Sequence, residues 1–182
     1  IDANNIFFAV IASSTDKHVR DIDLFVNKKI NIFCEKPISN KIEFLTKIKK
    51  KIIKNKIFFF INYQLKQHEF VKNIKTLINK EKIYHIEVRV GHNLKYWRKN
   101  KIRKNSYFLF TKKGGGVIFE LIHEVNLINH LFGSINKIKT IKQNHILKHA
   151  EDQAVSIFKT TKNIVGTIRQ DMLSEIKERY IK

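Results

Sequence analysis

The 182 residues are enough for one large domain or two small ones, and 43% hydrophobic content with fourteen Phe excludes intrinsic disorder and supplies a sizeable core. The longest apolar run, Ile6 to Ala12, is far short of the roughly 20 residues needed to span a bilayer, and the single cysteine, Cys34, excludes an internal disulfide, so a cytoplasmic, membrane-free setting is expected. The net charge of +20 suggests a nucleic-acid partner only at first sight: it comes from 30 Lys against 6 Arg spread along the whole chain, whereas base readers and phosphate clamps favour Arg for its bidentate geometry, so no nucleic-acid partner is expected.

The chain opens on Ile and enters a strand-like run almost at once, which reads as a truncated start without a basic-then-apolar leader. Ile6 to Ala12 (IFFAVIA) is continuously apolar, as in a parallel strand covered on both faces. Ser13-Ser14-Thr15-Asp16 is a cluster of helix N-capping types, and His18 to Asn27 carries enough apolar residues for a short amphipathic helix. Ile30 to Cys34 reads as a second strand ended by Pro37, with Cys34 a buried small hydrophobe. Ser39 or Asn40 can cap a helix over Lys41 to Lys54, with Lys47, Lys49, Lys50, Lys51 and Lys54 as its solvated face. Ile57 to Ile61 makes a third strand. Strand-helix-strand-helix-strand with short connections is the mark of a doubly wound parallel sheet.

After Tyr63 the pattern changes, and a domain boundary falls near residue 64. Glu69 to Asn79 is helical in pattern, and Tyr84 to Val90 alternates like a half-exposed strand of an antiparallel sheet. His92 to Lys113 reads as a long polar loop. Gly114-Gly115-Gly116 interrupts it, and Val117 to Phe132 is apolar enough for one largely buried helix. Strand-like segments follow at Ile135 to Gln143, Ala154 to Lys159 and Ile164 to Ile168. The fold class is therefore α/β: residues 1–64 contribute part of a parallel sheet, and residues 65–182 an α+β domain with a largely antiparallel open sheet.

In open parallel sheets, ligands bind beyond the carboxyl ends of the strands. Two strands deliver unusual residues there: Ser13-Ser14-Thr15 with His18, and Glu35-Lys36-Pro37. Small hydroxylated residues let a flat ring approach the backbone, and a lysine at a strand exit can hold a cation or proton over a substrate oxygen. Taken singly, each has a plainer reading as a helix cap or a solvated turn. Three adjacent glycines imply unusual backbone angles or close approach. Seven residues beyond them lies His123, flanked by Glu120 and Glu124 in an apolar helix. A buried histidine is more often a satisfied core residue, but histidine beside carboxylates is also the composition of a proton-transfer site. No second histidine stands at a zincin-like spacing, so no metal is expected.

Together these segments resemble the Gfo/Idh/MocA oxidoreductases over about residues 6 to 171. AVIASSTDKH is similar to that family's fourth sheet strand and cofactor-facing turn, and FCEKPIS to the signature around its catalytic lysine. YWRK followed by GGGVIFELIHEVNLINHLFG resembles its Trp-Arg loop, glycine triplet and histidine-bearing helix. The resemblance implies that residues 1–64 are the second half of a Rossmann domain and that residues 65–182 are a substrate and oligomerisation domain.

It also implies NAD or NADP as cofactor and hydride exchange with a hydroxyl of a sugar, cyclitol or nucleotide-sugar. Lys36 would be the catalytic lysine, His123 the acid/base, and Glu120 the neighbouring carboxylate. Ser13, Ser14, His18 and Glu35, with Lys36, would line the nicotinamide and its ribose, and Trp97 and Arg98 would close over cofactor or substrate. Glu120 stands where the family usually has Asp, and Asn126 where an acidic residue is common. No GxGxxG occurs, so on this resemblance the chain is a fragment without the pyrophosphate loop and should not turn over alone. The second reading is a non-catalytic or decayed member that binds a ligand or partner through its second domain. Sheets of this kind often pair in homo-oligomers, though the sequence carries no direct sign of pairing.

Overall fold

The computed structural model describes residues 5–97 and 105–182. The chain divides into two compact units: one runs to Tyr63 and takes in Lys112–Gly114, and the other comprises Gln64–Thr111 and Gly115–Lys182.

The first unit runs β1 (Phe8–Ile11), α1 (Thr15–Asn27), β2 (Asn31–Cys34), α2 (Glu43–Lys54) and β3 (Phe59–Ile61). The strands are parallel in the order β1-β2-β3, with Ile11 opposite Cys34 and Cys34 opposite Ile61. Ile22 and Val26 of α1 and Ile48 of α2 pack on Ile11, Ile32, Cys34 and Ile57. Each such aliphatic side chain contributes about 1.5–3 kcal/mol relative to exposure.

Both helices lie against the same face, so the expectation that β1 is covered on both faces is corrected. Phe8 and Val10 stay exposed, and Phe33 stacks on Phe60 at 5.2 Å. A continuous apolar run states that both faces are apolar, not that both are covered. The helix starts differ too. Ser14 occupies the N-cap position of α1 without a side-chain cap bond, and α2 begins behind Ile42 rather than Ser39 or Asn40. Ser39 instead closes its own turn with Lys41, and the Asn40 amide donates to the Lys112 carbonyl at 2.9 Å. Cys34 is the buried small residue anticipated. Burial, with the Glu35 and Asp21 charges adding, pushes its thiol up to about 12.

The second unit contains α3 (Glu69–Ile78), β4 (His85–Gly91), α4 (Leu94–Trp97), α5 (Val117–Glu120), α6 (His123–Phe132), β5 (Ile135–Gln143), β6 (Gln153–Thr160), β7 (Val165–Asp171) and β8 (Glu178–Ile181). Its sheet has the order β5-β6-β7-β4-β8, antiparallel throughout except for the parallel β4–β7 pair. Ile128, Leu131 and Phe132 of α6 pack on Ile86, Val88, Phe158 and Ile168 of the sheet.

The single helix expected over Val117 to Phe132 is two helices. The chain leaves helical geometry at Leu121, whose carbonyl accepts a 2.8 Å hydrogen bond from the buried Gln170 amide of β7. Within the polar stretch after β4 that reads as a loop, the described residues include α4 and a 3₁₀ turn at Tyr107–Leu109. Between β5 and β6, the fully buried Asp152 carboxylate accepts from the backbone N–H groups of His145, Ile146 and Leu147 at 2.6–3.0 Å.

A buried ion pair joins β4 to β7. Arg89 Nη1 lies 2.7 Å from Asp171 Oδ2, and Arg89 Nε donates to Glu178 at 3.0 Å. Burial pushes Asp171 upward. The N–H groups of Leu173 and Ser174, the Ser174 side chain and the Arg89 charge outweigh it, leaving the carboxyl below its ordinary 3.8. A depressed folded-state value stabilises the protein fully above the unfolded value near 3.8, and that stability is lost as pH falls through the lower folded value. Arg89→Met strands the Asp171 charge and should cost about 3–5 kcal/mol at pH 7. Thermal melts between neutral and acid pH should show a shallower acid limb in the variant. Parallel pH profiles would refute this coupling.

Candidate active site

In the first unit, three parallel strands end together. The Glu35 N–H donates to the Ile11 carbonyl and the Asn62 N–H to the Cys34 carbonyl, which carries the ladder one residue beyond the strands. Ser13, Ser14, Glu35, Lys36 and Asn62 thus share the carboxyl edge of the sheet. The Glu35 carboxylate accepts from the Asn62 amide at 2.6 Å and from the Lys36 N–H at 3.3 Å. Ser13 is exposed, and Ser14, Glu35, Lys36 and Asn62 are half-buried, so all five keep surface.

The Ser13 hydroxyl donates to Asp21 at 2.7 Å. Burial acts to raise Asp21, but this bond and the Arg20 and His18 charges bring the carboxyl below its ordinary value. Behind the edge, His18 is buried, with both ring nitrogens on backbone carbonyls. Gly114, at φ +80°, packs against Thr15, the first residue of α1, where an added Cβ would come within 2.5 Å of the Thr15 Cβ. Glycine is what allows position 114 to lie on this turn.

In the second unit, Glu120 ends α5 and His123 begins α6, and both are buried. Glu124, also buried, pairs with Arg179 Nε of β8 at 2.8 Å. Gly116 precedes α5 at φ +96°, ψ 162°, with the Glu151 carboxylate where a Cβ would stand. Trp97 stacks on His92, ring centroids 6.1 Å apart. Burial and the nearby Lys177 hold His92 below its ordinary value. Arg98 lies outside the described residues. Among the described residues, no group of three or more His, Cys, Asp or Glu side chains is arranged to hold a metal.

The structure thus brings Ser13, Ser14, Glu35 and Lys36 to one edge, and Glu120 and His123 to one helix junction. Three contributors went unread in the sequence. Asn62, directly after IFFFI, was findable as a polar residue at the carboxyl end of a parallel strand. Gln170 and Arg179 carried no sequence signal, because one acts by bonding a carbonyl at a helix break and the other sits on a short, exposed strand.

No protein-family model matches the chain, and no curated protein matches it by sequence. Solved structures do. The WlbA dehydrogenase of Bordetella pertussis, in complex with NADH and UDP-GlcNAcA, aligns over 98% of this chain and 53% of its own, at 19% identity and TM-score 0.88. An inositol dehydrogenase homologue of Azotobacter vinelandii, complexed with NAD+, aligns over 97% and 49%, at 13% and 0.86. Levoglucosan dehydrogenase, in complex with NADH and levoglucosan, aligns over 99% and 51%, at 14% and 0.87. These are dehydrogenases of the Gfo/Idh/MocA type. The chain shares their fold and spans about half the length of each. Among the described residues no helix is long and apolar enough to cross a membrane.

Proposed function

We propose that the chain forms the nicotinamide-facing and substrate-facing part of an NAD(P)-dependent oxidoreductase acting on a hydroxyl of a sugar, cyclitol or nucleotide-sugar. The observation that carries this is the strand-end edge, where Lys36 stands beside a Glu35 carboxylate oriented by Asn62. The fold shared with three dehydrogenases solved with NAD+ or NADH supports it.

The edge fits a nicotinamide riboside. Ser13 and Ser14 present small side chains to a flat ring, and Glu35 offers a carboxylate to ribose hydroxyls. When bound, the nicotinamide supplies the hydride acceptor or donor. Lys36 then polarises the substrate oxygen and holds its proton, while His123, with Glu120 on the preceding helix, takes the role of acid/base. Residues up to 64 would be dinucleotide-binding and those beyond it substrate-binding, in a reducing, cytoplasmic setting. Trp97 and Arg98 would cover the bound ligands.

Nicotinamide mononucleotide tests this on the 182 residues themselves, because it needs no pyrophosphate loop. In heteronuclear NMR titrations, amide shifts should concentrate at Ser13, Ser14, Glu35, Lys36 and Asn62. Shifts absent at millimolar ligand, or confined elsewhere, would refute the cofactor reading.

The outer face of the five-stranded sheet supports a homo-oligomer as part of the same proposal. Ile141 stands opposite Val155, with Ile157 and Val165 on the same face, and Ile141 and Ile157 are 74% and 61% exposed. Sedimentation equilibrium should find a dimer or larger species that Ile157→Lys converts to monomer. A monomeric wild type would end this part of the proposal.

A further inference from the structure

The imidazole of His18, on α1, is 1% exposed. Its Nδ1 lies 2.8 Å from the Pro37 carbonyl oxygen and its Nε2 2.8 Å from the Ser13 carbonyl oxygen. A carbonyl oxygen only accepts, so a ring nitrogen that carries hydrogen donates to the carbonyl beside it, and both nitrogens face backbone at hydrogen-bond distance. The two carbonyls belong to different turns. Ser13 follows β1, and Pro37 follows Lys36 at the end of β2. These turns close the carboxyl ends of adjacent parallel strands, the edge at which open α/β sheets take ligands.

Lys36 is therefore bracketed. Its own N–H is directed at the Glu35 carboxylate, and the carbonyl of the next residue is tied to α1 through His18. Ser13 is held twice, by its carbonyl to His18 and by its hydroxyl to Asp21, one helical turn further along α1. The tie is buried, while Ser13, Ser14, Glu35 and Lys36 keep surface. A histidine satisfied for its own sake needs only local partners. This one reaches across 19 residues to the turn that carries the lysine.

We infer that His18 is a positioning residue, whose imidazole, set between the Ser13 and Pro37 carbonyls, ties the turn after β1 to the Lys36-Pro37 turn and so sets where Lys36 stands. Its consequence for catalysis rests on the dehydrogenase reading, but its geometry does not.

The test compares wild type with His18→Phe, which keeps a ring but removes both nitrogens from between the two carbonyls, and with His18→Gln, which restores a donor. Amide hydrogen exchange should accelerate about 10- to 100-fold at Thr15 to Lys17 and Lys36 to Lys41 in His18→Phe, with the β2 amides unchanged. His18→Gln should recover part of the protection. In the gene product that contains this chain, NAD(P)-linked kcat should fall about tenfold or more while the cofactor KM stays within a few-fold, again partly rescued by Gln. Exchange that is unchanged, or that rises uniformly over the first unit, overturns the inference, as does a loss confined to KM. Should His18→Phe fail to fold, His18→Gln carries the same comparison. If wild type shows no NAD(P)-linked turnover, the proposed function falls, and the exchange pattern still decides the tie.

Discussion

Lys36→Ala should lower NAD(P)-linked kcat/KM of the gene product containing this chain by about 10²–10⁴-fold, the usual share of a positioned proton-transfer group. Lys36 is half-buried in a turn, where the Glu35 carboxylate, itself bonded by the Asn62 amide, accepts the Lys36 N–H and the His18 ring meets the Pro37 carbonyl. These supports remain in Lys36→Ala, so the loss of rate should far exceed any loss of stability. Lys36→Arg separates two roles. Arg keeps the charge but does not release a proton at working pH. If Lys36 only polarises the oxygen, Arg restores part of the rate; if it also carries the proton, Arg is nearly as poor as Ala. Full activity in Lys36→Ala would sink the assignment of Lys36 as the catalytic lysine.

Gly116→Ala should be among the most destabilising single substitutions in the second unit. The residue sits at φ +96°, ψ 162°, a region that essentially only glycine occupies. An added Cβ would also stand 2.5 Å from a Glu151 carboxylate oxygen. Glu151 cannot simply withdraw, since its carboxylate accepts from Thr111 at 3.2 Å and its carbonyl from the Val117 N–H at 2.8 Å. Backbone strain of about 1–3 kcal/mol and the clash together predict a loss of about 2–4 kcal/mol. For a chain of this length that is a fall of about 5–15 °C in melting temperature. Repeating the substitution in a Glu151→Ala background separates the two parts, because the contact vanishes and the strain stays. An unchanged melting temperature in Gly116→Ala would show that this backbone geometry is wrong.

The kinds of element were readable wherever side-chain period and length agreed. IFFAVIA, INIFC and IFFFI became parallel strands, EFVKNIKTLI became α3, and INKIKTIKQ became β5 over its whole predicted length. The edge residues Ser13, Ser14, Glu35 and Lys36 were readable for a related reason. A chain alternating short strands and helices must end its strands at one edge, so residues just after each strand converge there.

Boundaries and breaks were less readable because they depend on partners far along the chain. Nothing in VIFELIHEVNLINHLF announces a break at Leu121, since the Gln170 amide that takes its carbonyl lies 49 residues away. ERYI carries no strand pattern, and it becomes β8 only because β4 offers it an open edge.

By itself, then, the sequence determined the parallel α/β start, the mostly antiparallel second sheet and the identity of the residues at the strand ends. Local periodicity and turn chemistry are written in neighbouring residues. Only the tertiary structure decided that His18 is spent on two carbonyls, that Asn62 orients Glu35, and that one face of β1 stays open. Those outcomes depend on which distant groups meet, and a polar side chain takes its role from the partner that folding brings to it.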